Sequence, residues 1–294
     1  MKTLKQYFQE AAAGRWAIGH FNFSTGDQLR AIVDAAAESK SPVMVGTSEG
    51  EAEFIGYDQA VALVRSYQTE GHAVFLNADH HKSVETCQAA LRAHYDTVLV
   101  DASKLPYEEN VALTKMIVAK AAFNSKRNFN PANPHILVEG ELGYLRGSSE
   151  VQESVEISPN DYTKPEQAAD FITRTGVDRL AVVFGNIHGI VTEQEEHLDI
   201  EHLKKIIQAV PDMPLVLHGA SGLPAEEIKM AIQNGIVNVH INTELRVAYH
   251  DELRKELESK PDETTPYKYL DLAFKEVKKM VKEKLELFGS AGKI

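Results

Sequence analysis

The chain has 294 residues, 43% of them hydrophobic and 25% charged, with a formal net charge of −12. That composition suits a globular protein with enough chain for a large core, and the acidic balance argues against a nucleic-acid or membrane-surface binder. A lone cysteine, Cys87, leaves no internal disulfide framework and no cysteine-based zinc site.

The N-terminal stretch Met1–Tyr7 is amphipathic and lacks the apolar run and small-residue cleavage site of a leader. No run of about 18 apolar residues follows, so no membrane span is expected and a cytoplasmic location is the default. From there the chain alternates short apolar, β-branched runs with segments of helical period. Trp16–Asn22 is followed by an Ala-rich helical segment, Asp27–Lys40. Val43–Thr47 and Ala73–Asp79 are the second and third runs. Ser83 heads a helix to Ala93, with Thr86 where a full capping box has Glu. Thr97–Asp101 precedes a helix over Tyr107–Lys120. Ile136–Glu141 precedes a long polar stretch, Gly143–Lys164, which reads as a mobile loop of functional length. Pro165–Thr175 and Pro224–Asn234 open on prolines, which the first helical turn tolerates. Between them lie the runs Leu180–Asn186 and Leu215–His218 and a helix over Ile200–Ala209. Val237–Asn242 is the eighth run, Thr243–Glu258 its helix, and Thr265–Phe288 a Lys/Glu-rich helical tail.

Eight β-then-α units with near-continuous apolar strands predict a parallel sheet covered on both faces. Eight is also the number that closes a (β/α)8 TIM barrel. The alternative, a doubly wound open sheet, often carries a glycine fingerprint after its first strand, and Phe21-Asn22-Phe23-Ser24 has none. The expectation is one TIM-barrel domain over 1–294 with an extra C-terminal helix.

Polar residues stand at the C-terminal ends of the predicted strands, where a barrel places its active site. Asp79-His80-His81 ends the third run, Asp101 the fourth, Glu139-Gly140-Glu141 the fifth and Asn186-Ile187-His188-Gly189 the sixth. His218-Gly219-Ala220-Ser221-Gly222 ends the seventh, and His240-Ile241-Asn242-Thr243 the eighth. His80, His188 and His218 thus converge from three strands, a set suited to a divalent metal, most often zinc, with an open position. Asp79, beside His80, is placed to shuttle a proton at a substrate the metal polarises. Asp101 and Glu141 are candidates for a second or displaced metal position, or simply polar closure of the mouth. Gly189, Gly219, Ser221 and Gly222 suit a phosphate cradle of backbone N–H groups. The remaining histidines read as surface or core residues, except His81 and His240, which stand near the mouth with either reading open.

Those motifs, with Val138-Glu139-Gly140-Glu141-Leu142-Gly143 and Asn242-Thr243-Glu244-Leu245-Arg246, resemble the class II, metal-dependent fructose/tagatose-bisphosphate aldolases in order from about Lys5 to Phe288. The resemblance implies a TIM barrel and one catalytic Zn2+ on His80, His188 and His218. It also implies Asp79 as acid/base, and Asp101 and Glu141 at an alternative metal position. Gly189, Gly219, Ala220, Ser221 and the run His240–Thr243 would hold the ketone-side phosphate. Arg246 matches a position that in some members reaches the distal phosphate of a neighbouring subunit, so a homodimer or homotetramer is expected. Asn22 and Ser48 complete the expected substrate contacts. The implied reaction is reversible cleavage of a ketose 1,6-bisphosphate, fructose 1,6-bisphosphate first. Asp79 takes the C4 hydroxyl proton, and an acid of the loop after strand five, Glu150 or failing it Glu153, protonates the carbanion.

Three positions depart from that pattern. His240 stands where the family has a substrate-contacting asparagine, and Asn242 where fructose-specific members carry aspartate and tagatose-specific ones alanine. Ser148-Ser149-Glu150 replaces an acidic pair. They leave room for tagatose 1,6-bisphosphate, another phosphoketose, or a non-catalytic sugar-phosphate binder. A Schiff-base aldolase on Lys82 or Lys104 would leave the three histidines unexplained. A metal hydrolase of this fold commonly has His-x-His at the first strand, where Phe21-Asn22-Phe23 stands.

Overall fold

The structure, a computed structural model, describes residues 2–127, 130 and 133–294. Its elements in chain order are α1 (Leu4–Gly14), β1 (Ile18–Asn22), α2 (Gly26–Glu38), β2 (Val43–Thr47), α3 (Glu49–Ile55), α4 (Tyr57–Thr69), β3 (Val74–His81) and α5 (Val84–Ala93). There follow β4 (Thr97–Val100), α6 (Tyr107–Ser125), β5 (Leu137–Leu142), β6 (Gly147–Gln152), α7 (Pro165–Thr175), β7 (Arg179–Val182) and β8 (His188–Val191). The last are α8 (Ile200–Ala209), β9 (Leu215–Leu217), α9 (Ala225–Asn234), β10 (Ile236–Ile241), α10 (Thr243–Ser259), α11 (Pro266–Tyr269) and α12 (Asp271–Leu287). Strands β1-β2-β3-β4-β5-β7-β9-β10 close into a barrel, each pair parallel. All eight predicted apolar runs are barrel strands. This is the TIM barrel that the eight-unit pattern predicts.

The inward positions fall in layers because side chains alternate along each strand. At the N-terminal end Ile18, Met44, Phe75, Leu137 and Val237 meet Leu4, Tyr7 and Phe8 of α1, so α1 plugs that end. Its start is fixed by a capping box between Thr3 and Gln6. Two residues along β1, β3 and β5 the inward layer turns polar, at His20, Asn77 and Glu139, and two further on lies the mouth. The outer ring has a departure. The helical tail α12 packs on β1 and between α2 and α10, so it belongs to the ring itself. It buries Ala273, Val277, Met280, Val281 and Leu285, one apolar stripe at helical spacing.

Helix α1 has no counterpart among the predicted elements, and two further segments differ from the sequence reading. The link between β2 and β3 holds α3 and α4, which the pattern did not single out. Gly143–Lys164 carries β6 and a 3-10 turn at Pro159–Asp161, where a loop was expected. β6 is polar and largely exposed, so it lacks the apolar alternation that marks a strand. Its pairing with β8, outside the barrel, makes it one. An ion pair from Arg146 to Asp161 at 2.9 Å ties the segment's two ends.

Candidate active site

The barrel mouth opens into a cavity of about 420 Å³. Asp79 and His80 both line it although they are consecutive, which a regular strand forbids. The register of β3 against β4 shifts between Ala78 and His81, and His80 has φ 48°. That irregularity turns both side chains to the mouth. A positive φ at a non-glycine residue is an uncommon, strained conformation of the kind found at functional sites.

Two imidazoles face each other there, with His80 Nε2 and His218 Nδ1 3.0 Å apart. Each is tied at its other nitrogen. His80 Nδ1 donates toward Asp101 Oδ2 at 3.1 Å and lies 3.3 Å from Glu141 Oε2. His218 Nε2 donates to Glu139 Oε1 at 2.8 Å. With both outer nitrogens protonated, both inner lone pairs aim into the same small space. This is how metal-ligating histidines are held, the second N–H going to a carboxylate. The His188 ring brings a third imidazole, its centroid 4.6 Å from that of His80. Burial first, then the charges of His80 and His218, push its pKa down to about 3, so it is neutral, the ligating form. His80, Asp101 and Glu141 form a second cluster, with a possible ligand atom of each within 4.8 Å of the others. Ligand atoms of Asp79, His80 and His218 also lie within 4.8 Å of one another, so the residues present fit a divalent cation at His80 and His218, with the His188 ring beside them and Asp101 and Glu141 offering a displaced position.

The charges favour a cation there. Burial works to lower the His80 pKa, but Asp79, Glu141 and Asp101 outweigh it and shift it well above its ordinary range, a carboxylate field that favours positive charge at this spot whether a ring proton or a metal ion carries it. Burial works to raise Asp79, and His80, His240 and His20 overcome it, so Asp79 stays ionised. Asn22 Nδ2 donates to Asp79 Oδ2 at 3.0 Å and to Glu51 Oε2 at 2.9 Å. Glu51 also caps α3 through Ser48, whose backbone N–H it accepts at 2.7 Å.

The opposite rim is the glycine side. Gly189, Gly219, Ser221, Asn242 and Thr243 line the cavity. Gly219 has φ 67°, and a Cβ there would sit 2.0 Å from the Ile187 carbonyl oxygen, so only glycine fits. The rim runs into the N-terminus of α10, where Ser221 Oγ accepts from Glu244 N at 3.3 Å. Backbone donors and a helix start suit a phosphate. Ala220 is buried behind this rim and is not itself part of the lining. Arg246 lines this chain's own cavity and donates from Nη1 to the Ser149 carbonyl at 2.9 Å.

Glu150 is the expected residue that the structure leaves apart. It is exposed on β6, and the segment's contribution to the cavity is Leu145, Gly147, Ser148 and Ser149. Glu153 is exposed as well. His81 turns away from the cavity, edge-on to Tyr57 at 5.8 Å between centroids. Lys82 and Lys104 sit on the rim with exposed side chains. The reading of single residues missed Glu139 and Arg179 beneath the mouth. The signal for Glu139 was the period of two on β5, where Leu137, Glu139 and Glu141 share the inward face, while Arg179, on β7, carried none.

Fold and mouth together are those of an aldolase, a carbon–carbon lyase. The family model described as "Fructose-bisphosphate aldolase class-II" matches residues 2–293. Fructose-bisphosphate aldolase of Geobacillus stearothermophilus is 34% identical over 297 residues, spanning 99% of this chain and 98% of that one. The 6-phospho-5-dehydro-2-deoxy-D-gluconate aldolase of Bacillus licheniformis is 33% identical, over 99% and 96% of the two chains. Among solved structures, the YdjI aldolase of Escherichia coli K12 superposes with a TM-score of 0.82 at 33% identity, covering 99% of this chain and 98% of that one. The chain belongs to the class II fructose-bisphosphate aldolase family.

Proposed function

We propose that the protein catalyses the reversible zinc-dependent cleavage of a ketose 1,6-bisphosphate, with fructose 1,6-bisphosphate the leading substrate, to dihydroxyacetone phosphate and glyceraldehyde 3-phosphate. The observation that carries this reading is the pair of inner nitrogens on His80 and His218, 3.0 Å apart, in the same cavity as Asp79. A bound divalent ion, zinc in this reading, supplies Lewis-acid stabilisation of the negative charge that develops on the C2 oxygen. His80, His188 and His218 hold it, and Asp101 and Glu141 offer the displaced position. Asp79 takes the C4 hydroxyl proton as the C3–C4 bond breaks, and the electron pair stays on the ketone half. In the reverse direction it returns that proton. Gly189, Gly219, Ser221, His240 and Thr243 hold the ketone-side phosphate, with Ala220 behind them in the same turn. Asn22, Ser48, Asn242 and Arg246 contact the hydroxyls and the distal phosphate. Glu150, carried inward by the segment after β5, protonates C3. One domain over 1–294 does this, as a cytoplasmic homodimer or homotetramer.

A second reading keeps the chemistry and changes the sugar, and His240 with Asn242 in the mouth favours it. Tagatose 1,6-bisphosphate or another phosphoketose is then the substrate. The test is cleavage of fructose 1,6-bisphosphate, tagatose 1,6-bisphosphate and related phosphoketoses, before and after EDTA. We expect about one divalent ion per chain, loss of cleavage on chelation, return with zinc or cobalt, and no inactivation by borohydride. Borohydride trapping of substrate on a lysine overturns the metal mechanism.

A further inference from the structure

His20 is fully buried one layer beneath the mouth and is not part of the cavity lining. Its ring stacks on His240, with centroids 3.7 Å apart and planes 7° apart. The two residues are register partners on β1 and β10. Both rings are keyed from below by one guanidinium. Arg179 Nη2 donates to Asn77 Oδ1 at 2.9 Å, which turns Asn77 Nδ2 to donate to His20 Nε2 at 3.1 Å. Arg179 Nη1 donates to Asn238 Oδ1 at 2.6 Å, and His240 Nε2 lies 3.1 Å from the same oxygen. His20 has room only because residue 46 is glycine, since a Cβ there would lie 2.4 Å from its ring. At the upper end of the stack His240 Nδ1 is 3.3 Å from Asp79 Oδ1.

A ring nitrogen of each histidine and an Asp79 oxygen lie within 4.8 Å of one another, which raises the question of a cation. Lone pairs lie in the ring plane, so two parallel rings 3.7 Å apart do not aim at one ion. The stack is a support.

We propose that His20 is a positioning residue: seated in the notch left by Gly46, it holds His240 in the one plane that keeps its edge against Asp79, and so fixes the carboxylate that moves the proton. This rests on Asp79 being the acid/base of the proposed reaction. Side chains that react are held by packing around them, and a small misplacement costs rate more than binding.

The test is a cycle on the metal-loaded protein: wild type, His20→Ala, Asp79→Ala and the double variant, each with its metal content and the thermal midpoint of its metal-free form. His20→Ala is expected to lower kcat by about 10- to 100-fold with metal content unchanged, and KM to stay within about twofold. His20→Phe, which keeps a flat ring, recovers most of that loss. In the Asp79→Ala background His20→Ala changes kcat by less than about twofold, because its route of action is gone. Gly46→Ala, which drives the His20 ring out of its place, reproduces the His20→Ala kinetics and serves if that variant does not fold. An unchanged kcat in both, or an equal loss with and without Asp79, overturns the proposal. A loss of kcat that follows a loss of bound metal overturns it too. A wild type that cleaves no phosphoketose overturns the functional reading itself, whereas an active wild type with an indifferent His20 overturns this inference alone.

Discussion

At the N-terminal end of the barrel Ile18, Met44, Phe75 and Leu137 close the interior against α1. At the C-terminal end the same strands β1, β3 and β5 present Asn22, Asp79 and Glu141, four residues further on. One end is apolar, sealed and indifferent to direction. The other gathers like charges, a strained backbone at His80 and buried polar atoms without hydrogen-bond partners among the described residues, such as Asn22 Oδ1 and Asn242 Oδ1. Each of those features costs stability in a monomer without ligand. The same strands therefore separate the two tasks by height, stability below and chemistry above.

Arg179 is the seam between them. Its guanidinium lies 5.6 Å from the Phe8 ring of α1 and pairs at 2.9 Å with Glu139, which in turn holds His218. The pair is fully buried, so removing one partner leaves an uncompensated charge. Arg179→Met is expected to cost about 3–5 kcal/mol of stability and also to weaken metal retention through Glu139. Chemical denaturation and metal analysis of the same sample check it. Stability lost with metal affinity intact would break the link between the two ends.

A pair of variants tests whether the ends separate. Phe8→Ala empties part of the lower plug and should cost about 3–5 kcal/mol, with KM and metal content unmoved. Asp79→Ala should lower kcat by about 10²-fold or more while the unfolding midpoint holds or rises. If Phe8→Ala changes KM, or Asp79→Ala destabilises the fold as much as Phe8→Ala does, the division by height is wrong.

Legibility in the sequence follows the same division. The barrel strands were readable because parallel strands covered on both faces, such as Val43–Thr47, are continuous apolar runs. The strand-end histidines and Asp79 were readable because polar residues directly after such runs have few structural uses. Three things were hidden, each for a physical reason. β6 has no apolar face, and its partner β8 is about forty residues away, so periodicity says nothing about it. Glu139 and Arg179 look like ordinary charges on apolar strands, and only closure of the barrel reveals that they meet. His20 gains its meaning from a ring on β10 and a missing side chain on β2, neither near it in sequence. Pairings of that kind belong to the closed barrel, and no local pattern carries them.

The smallest expected effect lies at the mouth itself, at Asn242. It is the N-cap of α10, it lines the cavity, and its Oδ1 is buried without a hydrogen-bond partner. An amide both donates and accepts, so it can meet a sugar hydroxyl in either orientation, whereas an ionised carboxylate only accepts. Asn242→Asp should therefore shift preference toward fructose over tagatose bisphosphate by about 1–3 kcal/mol, the scale of one remade polar contact. The quantity to compare is the ratio of kcat/KM for the two sugars in wild type and variant. A thermal midpoint recorded alongside separates this from helix capping, because aspartate and asparagine are near-equal caps and the midpoint should hardly move. An unchanged ratio means that Asn242 does not read the sugar. Selection would then fall to its neighbour in the mouth, the His240 ring.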